Sequence, residues 1–234
     1  MAGKINIKNE NYIAKITFSH PKGNCLPPNI LKCLIDLLKK AEKDDTIRVI
    51  LIQSKGDGTF CSGASLEALK AISNYDQAIG FFMGFSDLIN TIRQLSKFVI
   101  ARVHGRIVGG GVGLVSACDY VFACEEASVK LSELSLGLGP YVIEPVVSRK
   151  IGGTAFAELS LDSKNWKNSE WAREKGLYSN VSKNILSMDN EVEKKIKSFA
   201  SFPIEASKEL RKLHWKDTNH WEKLLPGNAE ITAK

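Results

Sequence analysis

An α/β fold followed by a helical C-terminal region is what these 234 residues predict, and three features carry that expectation. Apolar runs of strand length at residues 48–53, 98–103 and 120–123 alternate with segments of helical periodicity. Three consecutive glycines, Gly109, Gly110 and Gly111, join the second of these strands directly to an apolar helix. Beyond Asp162 the β-branched runs thin out and polar helical patterns take over. The reading is therefore a core over residues 1–161 carrying the functional site, and a helical C-terminal region over 162–234.

In chain order, residues 5–7 and 13–18 alternate as two strands, with a turn at Asn9-Glu10-Asn11. Pro27 and Pro28 suit the first turn of a helix. Ile30, Leu31, Leu34, Ile35 and Leu38 recur at helical spacing, and Lys39, Lys40 and Lys43 complement the negative end of that helix. Residues 48–53 form a buried strand, and 54–65, rich in Gly and Ser, read as a loop. Helices are expected over 66–72 and 75–95. In the second of these, Ile79, Phe82, Met83, Leu88, Ile89 and Ile92 form an apolar stripe assigned to the core. Strand 98–103, the glycine turn, a helix to Cys118, strand 120–123 and a short strand at 128–131 follow. Ser132 is placed as the N-cap of a helical turn bearing Glu133. Residues 141–151 and 154–161 read as helices around a Gly152-Gly153 turn, and 169–175, 189–200 and 203–213 as polar helices. The repeated alternation fits stacked β-β-α turns. No helix is assigned after Leu225-Pro226-Gly227.

Composition narrows the function classes. A hydrophobic fraction of 44% and a charged fraction of 25% are those of a soluble globular chain with a sizeable core. Residues 1–11 lack the character of a secretion signal or transit peptide, and the most apolar run, 107–124, is too short to span a bilayer and holds Asp119. Five cysteines (Cys25, Cys33, Cys61, Cys118, Cys124), an odd number without a C-x-x-C pair, point to free thiols in a reducing, cytoplasmic setting and to no metal site. Cys61 reads as a small packing residue. The net charge of +6 is dispersed along the chain, which indicates a solvated surface rather than a nucleic-acid face.

Nucleotide and hydrolase motifs fail on spacing. Gly109 and Gly111 begin a G-x-G, but Leu114 stands where a third glycine is required. No G-x-S-x-G elbow and no H-x-x-x-H pair is present, and His104 reads as structural. What remains is a helix that starts in glycines, whose free N–H groups and positive dipole end suit a negative oxygen. Some twenty residues on, Glu133 stands among Val129, Leu131 and Leu134, where burial raises a carboxyl pKa toward the working range. An oxyanion cradle beside one acid is equipment for moving protons next to a thioester carbonyl.

Four segments in consistent order resemble the crotonase superfamily, also called the enoyl-CoA hydratase/isomerase family. Thr59-Phe60-Cys61-Ser62-Gly63-Ala64-Ser65-Leu66 is similar to its F-x-x-G-A-D-[LI] loop. Residues 104–140 are similar to its G-x-x-x-G-G-G…C-D…E…L-G…P pattern. His20-Pro21-Lys22-Gly23-Asn24-Cys25-Leu26 resembles the first loop, and Gly176-Leu177-Tyr178-Ser179-Asn180-Val181 a late strand.

The resemblance implies the crotonase ββα spiral. It implies an oxyanion hole from the N–H groups of Ala64 and Gly110, and Glu133 as acid/base. It implies contacts to a coenzyme A thioester from Lys22, Asn24, Cys25, Ala64, Ser65, Leu66, Gly109, Gly110 and Pro140. It implies a homotrimer or hexamer, with a tail that commonly covers a neighbouring subunit and a terminal helix expected past Lys234. No cofactor is implied beyond the coenzyme A of the substrate; an acyl-carrier-protein thioester is the alternative carrier.

Two departures stand out. Gly113 occupies the position of the hydratases' other glutamate, and Ser65 that of the loop aspartate. Residues 141–147 are more similar to relatives acting on methylglutaconyl thioesters. Hydration or dehydration of an enoyl thioester is therefore expected first, with Glu144 or Glu67 as sources of a second carboxylate. A single-carboxylate isomerase or decarboxylase is the alternative, then a non-catalytic acyl-CoA binder. RNA-associated relatives carry lysines every fourth residue on an early helix; here that row is Pro28, Lys32 and Asp36, which excludes the pattern.

Overall fold

The computed structural model describes residues 3–234. Strands β1 (Lys4–Glu10) and β2 (Ile13–Ser19) pair antiparallel from Lys4↔Ser19 to Glu10↔Ile13. Asn11 and Tyr12 turn the hairpin, both with positive φ (51° and 66°), the backbone that matches the twist of the two strands. The turn thus lies later than the Asn9-Glu10-Asn11 expected from sequence, and the strands run longer. Helix α1 (Pro28–Lys43) buries Ile30, Leu31, Leu34, Ile35 and Leu38. Its C-terminal end is closed from outside: Lys97 Nζ donates to the carbonyls of Ala41, Glu42 and Asp44 at 2.6–2.9 Å. A cation there satisfies orphan carbonyls and opposes the dipole.

The chain then makes three similar turns. Strand β3 (Val49–Ser54), short strand β4 (Thr59–Cys61) and helices α2 (Leu66–Lys70) and α3 (Tyr75–Gln94) form the first. Strands β5 (Phe98–Val103) and β6 (Arg106–Val108) with α4 (Gly110–Ser116) form the second. Strands β7 (Tyr120–Cys124) and β8 (Val129–Lys130), a 3₁₀ turn (Leu134–Leu136) and α5 (Glu144–Ile151) form the third. In each turn the longer strand joins one sheet and the shorter strand another. Helix α6 (Gly153–Leu161), α7 (Ser169–Glu174), strand β9 (Asn180–Ser182), α8 (Ile185–Ala200), α9 (Ile204–His214) and α10 (Trp221–Thr232) complete the chain.

The main sheet runs β1-β2-β3-β5-β7-β9, parallel from β2 onward, and the small sheet β4-β6-β8 is wholly parallel. The stacked β-β-α expectation is met. The small sheet was not legible as a sheet, because strands of two or three residues are too short to show a period. Residues 59–61, read as loop, form β4, and 106–108, read as part of the glycine turn, form β6. Residues 141–143 precede α5 as a turn, since Pro145 favours the first turn of a helix.

Beyond Asp162 the chain is helical apart from β9, which joins the main sheet beside β7. Helix α9 is held by Arg211, which is fully buried. Its Nε pairs with Asp119 Oδ2 at 3.0 Å, and its other nitrogens donate to the carbonyls of Ile92, Arg93 and Leu95 at the end of α3. Helix α10 packs on α3 of the same chain, with Arg93–Glu222 at 3.2 Å and Asn228 Nδ2 donating to Tyr141 O at 2.8 Å. No helix was expected between Leu213 and Lys234, yet α10 forms and runs through Pro226-Gly227. Burial of Trp221, Leu225 and Ala229 outweighs an interior-proline penalty of about 3 kcal/mol.

Arg211→Ala would leave Asp119 buried without its partner and the end of α3 uncapped. The expected result is a loss of about 3–5 kcal/mol in urea-denaturation stability; a loss below about 1 kcal/mol would contradict this role for the pair.

Candidate active site

The site forms where the first and second turns of the spiral touch. After β4, Gly63 adopts φ +79° and turns the chain into α2. The contact there is close: a methyl on Gly63 would lie 2.7 Å from Val108 O and 3.0 Å from Gly110 N. Only glycine lets the two backbones approach this far. Ala64 is thereby set beside the start of α4.

Gly109, at φ +53°, precedes α4, and Gly110 is its first residue. The N–H of a first helical residue has no acceptor within its helix. Among the described residues, neither Gly110 N nor Ala64 N donates to a backbone carbonyl. Both residues line one cleft, together with Leu66, Gly109, Glu133 and Pro140. Two free main-chain donors of this kind can hold an oxygen that gains charge.

Glu133 enters from the third turn. The Ser132 side chain does not cap the helical turn as expected from sequence; Ser132 O accepts from Ser135 N and Oγ instead. Glu133 itself is the residue before the 3₁₀ turn, and its carbonyl accepts from Leu136 N (2.9 Å) and Leu138 N (3.0 Å). These bonds fix the backbone and leave the carboxyl free. A methyl placed on Gly109 would lie 2.7 Å from Glu133 Oε1, so the carboxyl is packed against the glycine turn. Glu133 Oε2 is shut off from solvent and has no hydrogen-bond partner. Burial pushes the pKa up to about 7, against an opposing pull from the Glu133 and Ser132 backbone. A carboxyl poised near neutrality both takes and returns a proton.

The space beside α4 that a second acid would need is filled. A side chain on Gly113 would meet Ile143 at once, its Cβ 2.5 Å from Ile143 Cγ2. Neither alternative acid reaches the cleft. Glu144 Oε1 accepts from Ser148 Oγ at 2.7 Å, and Glu67 is ion-paired to Lys22 at the surface. Among the residues lining the cleft Glu133 is the sole acid, and no Lys, Arg or His joins it.

Lys22, Cys25 and Ser65 line an adjoining hollow with Glu67 and Lys70, which also touches Ala64 and Leu66. Ser65 Oγ caps α2 by accepting from Ala68 N at 3.2 Å. Cys25 Sγ lies 3.2 Å from His20 Nδ1. Asn24 belongs to neither space. Its side chain donates to Lys55 O and Thr59 O, both at 2.8 Å, and accepts from His20 N at 2.9 Å. With its polar side-chain atoms used inside the protein, Asn24 braces the loop and lines neither the cleft nor the hollow. Cys61 is buried, and burial pushes its thiol up to about 12, as suits a packing residue. His104 is buried and lowered to about 4 by burial, then by Arg102, as suits a structural residue.

Sequence reading missed the apolar walls. Phe81, Phe82 and Phe85 of α3, Val142 and Ile143 before α5, and Thr232 of α10 all line the cleft. The aromatic stripe of α3, assigned to the core, is in part the wall of the site. Three phenylalanines within five residues were the available signal.

A ββα spiral that brings the start of one helix, a neighbouring loop and one shielded acid to a single cleft defines a protein of the crotonase type. A profile described as Enoyl-CoA hydratase/isomerase matches residues 8–224, and the chain belongs to that family. It is 30% identical over 136 residues to the probable enoyl-CoA hydratase of Bacillus subtilis, covering 58% of this chain and 52% of that protein. It is 30% identical over 170 residues to the peroxisomal Delta(3,5)-Delta(2,4)-dienoyl-CoA isomerase of Arabidopsis thaliana, covering 66% and 59%. The match therefore spans little more than half the length of these relatives. In fold, the enoyl-CoA hydratase from Bacillus halodurans superposes with a TM-score of 0.90 at 22% identity, over 98% of this chain and 93% of that one.

Because the folded pKa of Glu133 lies above the ordinary carboxylate value of 4.5, its ionisation penalises the fold. The penalty is absent below pH 4.5, grows as pH rises to about 7 and is complete above that. Glu133→Gln is therefore expected to stabilise the protein at pH 8 by on the order of 1–2 kcal/mol and to leave it unchanged near pH 4.5. Equal effects at both pH values in chemical denaturation would refute the shielded-acid assignment.

Proposed function

We propose that this chain moves a double bond in an acyl-coenzyme A thioester, converting a β,γ-unsaturated chain to its α,β-unsaturated isomer. Glu133 is the proton carrier, and the amides of Ala64 and Gly110 hold the thioester oxygen. The carboxylate takes a proton from Cα; the C–H electrons form an enolate whose charge rests on the oxygen between the two amides. The enolate pair re-forms the carbonyl and sets the new bond between Cα and Cβ, while the former β,γ pair takes the proton back from Glu133 at Cγ. One acid suffices, because the same group acts first as base and then as acid. Loss of one oxyanion donor typically lowers rate by about 10²–10³, which sets the scale of the amide contribution.

The observation that carries this reading is the single carboxyl of the cleft, with Ile143 in the space beside Gly113. Addition of water, the first expectation from sequence, asks for a second group to hold that water, and no acid or base is in place for it. Decarboxylation brings a substrate carboxylate into the cleft, and the lining offers no cation to receive it. The hollow bearing Lys22 and Lys70 suits the phosphates of coenzyme A.

Incubation with 3-hexenoyl-CoA is expected to yield 2-hexenoyl-CoA faster than any 3-hydroxyacyl product. Rapid formation of 3-hydroxyhexanoyl-CoA from the 2-enoyl substrate, without isomerisation, would overturn the proposal. Glu133→Gln should lower kcat by about 10²–10⁴ while acyl-CoA affinity stays within about twofold. An unchanged kcat would remove Glu133 from the reaction.

A further inference from the structure

We infer that Ile143 selects substrates at their β-carbon: the cleft takes acyl thioesters that are unbranched there, and it keeps water away from that carbon. This inference rests on the thioester reading above. Three residues of helix separate Gly110 from Gly113, a rise of about 4.5 Å along α4. That distance is comparable with the reach from a thioester oxygen to its β- and γ-carbons. With the oxygen at Gly110 N, the part of the chain passing Gly113 is therefore the part where the double bond moves.

Ile143 owns that location. A methyl on Gly113 would be 2.5 Å from Ile143 Cγ2 and 3.0 Å from its Cβ, with Ile89 Cδ1 at 3.9 Å. Gly113 is covered, and Ile143 presents itself to the cleft in its place. The side chain is buried, and its β-branching leaves it few rotamers. Its carbonyl is held by Val147 N at 3.0 Å, which ties it to the first turn of α5. The backbone of Ile143 cannot shift without moving that helix. A methyl branch on the substrate's β-carbon, of the methylglutaconyl kind raised by residues 141–147, falls where Ile143 stands. The apolar side chain of Ile143 gives a water molecule at the β-carbon no hydrogen-bond partner on that side.

Two saturated, unreactive thioesters test this without turnover: butyryl-CoA and 3-methylbutyryl-CoA, titrated calorimetrically into the wild type, Ile143→Val and Ile143→Ala. The wild type is expected to bind the linear ligand at least about tenfold tighter. That ratio should shrink in Ile143→Val and approach unity or reverse in Ile143→Ala. Ile143→Val removes a single methyl and keeps the test readable if Ile143→Ala does not fold. Equal wild-type affinities, or a ratio unchanged in every variant that folds, would overturn the inference and leave the proton-shuttle reading standing. Binding of neither ligand to the wild type would overturn the thioester reading together with it. A Glu133→Gln enzyme that binds both ligands normally but turns over at the wild-type rate would instead sink only the proton shuttle.

Discussion

The site exists because two stretches of main chain touch without side chains between them. At Gly63 the loop after β4 lies so close to the start of α4 that a single methyl would strike Val108 O and Gly110 N. This contact places Ala64 next to Gly110 and leaves two amide donors without backbone acceptors. It also joins the first turn of the spiral to the second at its short strands, β4 and β6. A larger residue at Gly63 would separate the turns and the donors together, so packing of the spiral and placement of the two donors are one geometric fact.

Glu133 shows the opposing demands on such a site. Its backbone is held by the 3₁₀ turn, while one oxygen is buried without a partner. Left unpaired, an ionised carboxylate in this position destabilises the fold. A partner would relieve that strain but would hold the pKa down, where the group no longer returns protons readily near neutral pH. The Arg211–Asp119 pair, outside the cleft, follows the other rule: both groups are buried, each satisfies the other, and the pair anchors α9 to the end of α3. The chain thus leaves its buried carboxyl unpaired in the cleft and pairs the one that serves only as an anchor.

Much of this was legible before any coordinates. The long strands β3, β5 and β7 announce themselves as apolar runs, and the glycine turn and Glu133, some twenty residues on, come to line one cleft. Strands β4 and β6 are not legible, since three residues carry no period; β8 falls within the short strand expected at 128–131, but its pairing into a second sheet comes from the spiral. Helix α10 was hidden by Pro226-Gly227, whose local preference is overridden by packing on α3. The bracing bonds of Asn24 were not legible, because a residue type says nothing about which carbonyls surround it. Ile143 was invisible for the same reason: its importance comes from facing a glycine thirty residues earlier in the chain. Gly113 showed that an acid was missing, but only the fold showed what stands in its place.

Grip of the thioester oxygen by the amides of residues 64 and 110 can be read from the vibration of the bound carbonyl. Infrared difference spectra of butyryl-CoA, with and without ¹³C at the thioester carbon, isolate that band in the complex. Hydrogen bonding from two fixed donors weakens the C=O bond, so the band should move to lower frequency on binding than it has in water. A band at or above its solution position would mean that the oxygen is not held there, and the chemistry assigned to this cleft would have no foundation.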